Sequence, residues 1–249
     1  VLKDKPGAPE LPENPTEAQK QAAIEAALAL AYAERPARDK VVEYATQTTK
    51  DATDFVRAKD LVTVPDDPVK IILMPEFQPG VAGAYADSPG PLDKGLDTYY
   101  AISPIPDDWS TEQVDSFLRE YNNRMLHLLS IHEAMPGHYL EGVHSADHPS
   151  TLRAVLRSGP FAAGWAVYPE DMLADAGYLD SDPLFRLVQL KFYLRAVANS
   201  ILDQGVHVDN WTKEQAMDLM VNKTFQQERE ADGKWKRAQL TSAQLATYF

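Results

Sequence analysis

Apolar residues recur along this chain at two rhythms, and each rhythm predicts a kind of element. After Ser110 they fall at Val114, Phe117, Leu118, Tyr121, Met125 and Leu128, the three-and-four spacing of one apolar helix face. Ser110-Thr111-Glu112-Gln113 opens this run in the form of a capping box. The pattern predicts one long helix that carries His132 on its core-facing side. Phe161, Trp165, Tyr168 and Met172 predict a second helix over 161–176. Asp182-Pro183 heads a third, with Asp182 as N-cap, and its buried face is Leu187, Leu190, Leu194, Val197 and Ile201. Gly205 is the expected glycine just past its end. Upstream, residues 16–35 are rich in Ala, Glu and Gln and predict a helix stopped at Pro36, followed by another over 37–59. The second rhythm is extended: 69–74 is a β-branched run between prolines, and Thr98-Tyr99-Tyr100-Ala101-Ile102 is a further strand candidate. Residues 80–95 read as a Gly/Pro/Asp-rich loop, and 1–15 as a polar, Pro-rich lead-in. The fold class is a mainly helical α+β chain, without internal repeats.

Composition narrows this picture in three ways. A chain of 249 residues can bury a substantial core. It contains no cysteine, so disulfides and thiolate metal sites are excluded, and His and carboxylates remain as candidate ligands. The formal net charge of −13 argues against nucleic acid, whose phosphates need clustered Lys and Arg. No apolar run approaches the length of a membrane span. The compartment is left open.

The chemistry concentrates in His132-Glu133-Ala134-Met135-Pro136-Gly137-His138. Two neutral imidazoles and a later carboxylate make a common catalytic zinc set, and a Glu beside the first ligand can act as general base. The histidines are six apart rather than four, which on an ideal helix turns them about 240° away from each other. Pro136 removes a helix hydrogen bond and Gly137 admits unusual backbone angles, so a kink there could return His138 to His132. The alternative is a helix that ends at Pro-Gly with two incidental histidines.

With Gly164-Trp165-Ala166-Val167-Tyr168-Pro169-Glu170 following it, the motif resembles the bacterial domain-of-unknown-function family 885. Asp203-Gln204-Gly205-Val206-His207 with Trp211, and then Gln244 and Tyr248, extend the resemblance over about residues 70–249. Members of that family resemble zinc metallopeptidases of the gluzincin type and are usually more than twice this length. The resemblance therefore implies a Pro-rich lead-in and helices over 1–68, a zincin-like catalytic domain over 69–249, and packing against a missing N-terminal half. It implies Zn2+ held by His132, His138 and Glu170. Pro169 departs from the family pattern beside Glu170, which makes Asp171 the reserve ligand, and His144 is a remote rival. Glu133 is the implied general base. His207 is the first candidate, and Tyr248 the second, for a donor that stabilises an oxyanion.

Gluzincins carry a small sheet whose edge lies beside the zinc helix, and residues 98–102 are the segment assigned to that edge, with an ordinary core strand as the alternative. Tyr193 and Arg195 are expected to serve packing and a surface salt bridge, and His127, His144 and His148 to carry no chemistry. The implied activity is hydrolysis of a peptide or other amide. The alternatives are a zinc hydrolase of a non-peptide C–N bond and a non-catalytic zinc-binding domain.

Overall fold

Side-chain caps decide where the principal helices begin. In the computed structural model, which describes residues 2, 9, 11–66, 69–75, 83–90, 92–93 and 95–247, Thr16 and Gln19 form a reciprocal box ahead of α1 (Glu17–Ala33). Ser110 and Gln113 form the expected one ahead of α3 (Thr111–Glu120). Between them lie α2 (Val41–Lys59), entered through a short 3-10 turn, and three strands, β1 (Lys70–Leu73), β2 (Ala84–Asp87) and β3 (Tyr99–Ile102). The strand order is β1-β3-β2, with β1 parallel and β2 antiparallel to β3. The 98–102 segment is thus the centre of the sheet and not its edge. The edge beside the motif is β2, inside the stretch expected to be loop.

The predicted long helix is broken. Its apolar rhythm is real, but α3 ends at Glu120 and a new helix, α4 (Asn123–Leu129), starts at once. Asn122 causes the restart, because its side-chain oxygen accepts from the backbone N–H groups of Arg124 and Met125 at 3.1 and 3.2 Å. That cap satisfies donors which a continuous helix would have bonded internally. The last turn of α4 widens into a π-turn over Ser130–Ala134, a local form often found at functional positions.

Nearly every later element is helical: α5 (His138–Ala146), α6 (Thr151–Val155), α7 (Gly159–Asp175), a single turn α8 (Tyr178–Ser181), α9 (Pro183–His207), α10 (Lys213–Met217) and α11 (Glu228–Ala238). Asp182 caps α9 as expected, accepting from Leu184 N–H at 2.9 Å. Gly205 does not end α9. It lies inside the helix, where a Cβ would meet the Trp211 ring at 2.4 Å, so the glycine serves close packing.

The main core cluster runs through Val41, Ala45, Val56, Tyr100, Leu126 and Ile131 to Val188, with smaller ones around Leu202 and Met220 and around Met135 and Leu140. Burying an aliphatic side chain of this size contributes roughly 1.5–3 kcal/mol. Helices α1 and α2 contribute Ala31, Val41, Ala45, Ala52 and Val56 to the main cluster. The ion pair between Lys191 on α9 and Glu120 at the end of α3 is buried, with 2.6 Å between charged atoms. Among the described residues no helix is long and apolar enough to cross a membrane.

Candidate metal centre

The π-turn places His132 and Glu133 side by side at the end of α4, both buried. Met135 leaves the helix with extended backbone, and α5 begins afresh at His138. The Met135–Pro136 bond is cis. Gly137 makes the return possible: a Cβ there would lie 1.9 Å from the His132 carbonyl oxygen and 2.4 Å from that of Ile131. No residue but glycine can bring the chain so close to the preceding turn. The result is that His132 and His138 meet, with ring centroids 4.9 Å apart and planes at 87°. Trp165 on α7 fixes the turn by donating its indole N–H to the Pro136 carbonyl at 2.9 Å.

Helix α7 brings the carboxylate. Glu170 is fully buried, and its Oε1 accepts from His132 Nδ1 at 2.5 Å. Pro169 is carried within α7 without ending it. The reserve candidate Asp171 points elsewhere, to Arg186 at 2.6 Å. Burial opposes protonation of His132, but the Glu170 hydrogen bond and charge outweigh it and raise the imidazole pKa. His138 has no such partner among the described residues. Burial, and then the His132 charge, lower its pKa to about 3, which keeps it a neutral donor. Burial pushes the Glu133 carboxyl up, against the pull of His132 and of the Ala86 N–H on β2, which reaches its Oε2 at 3.0 Å.

A tetrahedral ion with metal–nitrogen distances near 2.1 Å spaces its nitrogens by about 3.4 Å, a span that rings this close can provide. Glu170 Oε2 is the second observation: it is buried and has no hydrogen-bond partner among the described residues. An orphaned carboxylate oxygen costs free energy unless something meets it. As the side chains stand, no group of three or more His, Cys, Asp or Glu among the described residues is gathered to hold an ion, because Glu170 faces His132 Nδ1. The donor chemistry and the free oxygen fit a metal, since the hydrogen bond uses only His132 Nδ1 and Glu170 Oε1.

Two hollows meet at this point. An outer cleft of about 590 Å³ is bounded by β2, His132, Glu133, His138 and the C-terminal turn with Gln244. A smaller inner cavity of about 80 Å³ lies against His132, Glu133 and Glu170 and is lined by Arg195, Lys234 and Arg237. Sequence reasoning missed all three cations. Arg195 is no surface residue: it is largely buried and paired with Glu230 at 2.6 Å. Lys234 had a legible signal, since with Ala231 and Ala238 it occupies the buried three-and-four register of α11.

Other expected site residues are not brought in. His207 is exposed, bonds the Ala238 carbonyl at 2.8 Å and lines neither hollow. Its block has a structural task instead, as Asp203 accepts from Ala243 and Leu245 N–H and pins the C-terminal turn. Tyr248 lies outside the described residues. His144 bonds the Thr63 carbonyl, away from the two histidines. His127 is buried against the Tyr178 hydroxyl at 2.8 Å.

Fold and site together define a mainly helical protein with a small three-stranded sheet and a buried His-Glu centre at a helix end. The chain belongs to the family described as bacterial protein of unknown function (DUF885), which matches residues 11–249. A "putative lipoprotein of unknown function" from Shewanella oneidensis is 37% identical over 96% of this chain, with a TM-score of 0.79. A solved structure from Colwellia psychrerythraea, also described as a lipoprotein, shares the fold at 23% identity over 91% of this chain, with a TM-score of 0.66. The chain spans 43% and 38% of those two proteins. No curated protein gave a match.

Proposed function

We propose that the protein is a zinc-dependent hydrolase of the gluzincin kind, cleaving peptide bonds. The observation that carries this reading is the meeting of His132 and His138 beside a buried carboxylate with an unpartnered oxygen. His132, His138 and Glu170 hold the metal. When bound, zinc supplies Lewis acidity that lowers the pKa of a water molecule toward about 7.

Glu133 is not a ligand in this reading. The Ala86 N–H fixes one of its oxygens, and burial raises its proton affinity. Both suit a base that takes a proton from water and returns it to the leaving amine. The outer cleft runs along β2, whose Ala84 and Ala86 line it. An extended peptide can add to such an edge through its main chain. Exposed Leu152, Val155, Leu156 and Phe161 on α6 and the start of α7 form an apolar face, which we assign to packing against the remainder of a longer chain.

The test is Glu133→Gln. Turnover of a peptide library should fall by about 10² to 10⁴, the usual worth of general-base catalysis, while zinc stoichiometry stays that of the wild type. A variant that loses zinc as fully as His132→Ala makes Glu133 a ligand and refutes the assignment. Zinc bound without turnover of any peptide or amide would favour a non-catalytic zinc domain.

A further inference from the structure

The inner cavity carries a charge pattern that the hydrolytic centre does not use. Arg195, Lys234 and Arg237 all line it, outnumbering the Glu133 and Glu170 carboxylates on the same wall, in a protein whose formal net charge is −13. Arg195 is held by Glu230, and Arg237 donates from Nε to Gln244 at 3.1 Å. Lys234 is different. It is only 4% exposed and makes no hydrogen bond or ion pair among the described residues. Lys191 shows what this fold does with a lysine buried for structural reasons: it pairs the ammonium with Glu120. Glu230 and Glu120 act on Lys234 only from beyond bonding distance, and burying an ammonium with no directly bonded partner is costly. Burial, with Arg195 adding to it, holds the Lys234 ammonium well below the usual lysine range, against the pull of Glu230 and Glu120. The buried side-chain oxygen of Asn199, on the same wall, also lacks a partner among the described residues, and an amide turned by half a rotation offers N–H donors instead.

Size selects the ligand. A cavity of about 80 Å³ has room for a small polar group or a few waters. That suits one carboxylate and excludes a large side chain. The cavity shares the walls formed by His132 and Glu133 with the outer cleft, so an anion held there would adjoin the hydrolytic centre.

We propose that this cavity is the subsite for a substrate carboxylate, with Lys234 as its counter-charge. The proposal rests on the hydrolase reading for its cleavage consequence: the bond cut is the one next to a free C-terminus or to an acidic residue. The carboxylate is the shared chemistry of these two sources.

The experiment measures binding of short acetylated peptides to the zinc-loaded Glu133→Gln chain by calorimetry. One pair compares a free C-terminal acid with its amide, and a second compares terminal Glu with Gln, both amidated. A preference of about tenfold or more for the acid member of either pair, a change of about one factor of ten in Kd, is expected, and the pair showing it identifies the source. In Lys234→Met the preference should collapse to within about threefold. The melting temperature should hold or rise in that variant, because an unpaired buried charge has been removed. Lys191→Met should lower it, because the buried Glu120 loses its nearest counter-charge and keeps only Arg195 at 4.0 Å and the Gln227 N–H. Equal affinities within both pairs in the Glu133→Gln chain overturn the proposal without needing the lysine variant. So does a preference that survives Lys234→Met, or a Lys234→Met chain that unfolds like Lys191→Met, which would make the lysine structural. Carboxylate preference without turnover of any peptide by the wild type sinks the hydrolase reading and leaves the subsite standing.

Discussion

Adding one methyl group at Gly137 should take the centre apart. In Gly137→Ala the new Cβ would start 1.9 Å from the His132 carbonyl oxygen, 2.4 Å from the Ile131 oxygen and 2.5 Å from the His132 carbonyl carbon. All three atoms are backbone, so no side chain can rotate away. Contacts of this kind below about 3 Å are not tolerated in packed interiors, and relief therefore needs a shift of about 1 Å between the π-turn and the start of α5. His138 is the first residue of α5 and must move with it.

Zinc–nitrogen distances tolerate only about ±0.2 Å, so the shift removes His138 from the set His132 would share. Overpacking of this order costs about 1–3 kcal/mol or more, which lowers the melting temperature of a domain this size by about 2–4 °C per kcal/mol. The assay is a zinc titration with a competing chelator beside a thermal melt of the metal-free chain. The expected result is a loss of zinc affinity of at least about tenfold, with a lower melting temperature. Wild-type affinity and an unchanged melt in the alanine variant would refute the claim that Gly137 brings the histidines together.

Two further outcomes follow from the same geometry. Glu170→Gln should weaken zinc by more than about 10²-fold if Glu170 is a ligand, whereas a loss of only 10- to 100-fold would make it the carboxylate that orients His132 through Nδ1. Acid stability should report His127, whose pKa burial lowers from 6.5 to about 4. The folded state holds it neutral, so its contribution is complete above pH 6.5, fades as pH falls toward 4, and amounts to about 3 kcal/mol in all. Urea melts of metal-free wild type and His127→Gln between pH 7 and 4 should therefore converge toward acid, and parallel curves would contradict it.

The sequence by itself determined the local structure. Helical spacing and capping chemistry located α1, α2, α3, α7 and α9, because both involve residues a few positions apart. The face expected to be buried on α9 was wrong, however: Leu190 and Ile201 are exposed, and Phe185, Val188, Ala198 and Leu202 are the buried residues. His132, Glu133, His138 and Glu170 were legible for a similar reason: two short blocks carry them. Pro136-Gly137 correctly announced a break, although not that the close approach to the His132 carbonyl is what demands glycine.

Tertiary structure decided the rest. β2 is Ala-Tyr-Ala-Asp in a turn-like stretch, with weak strand propensity of its own, and it exists because β3 and the Glu133 carboxylate take its backbone groups. The break at Asn122 was hidden under an apolar rhythm that continues through it. His207 looked functional from its block, but the fold turned it to the Ala238 carbonyl. Arg195, Lys234 and Arg237 come from two helices that sequence spacing cannot relate, and only packing α11 against α9 converges their charges on one cavity. Local rules act through neighbouring backbone groups and are written along the chain, whereas the placement of an unpaired charge depends on what the folded chain leaves beside it.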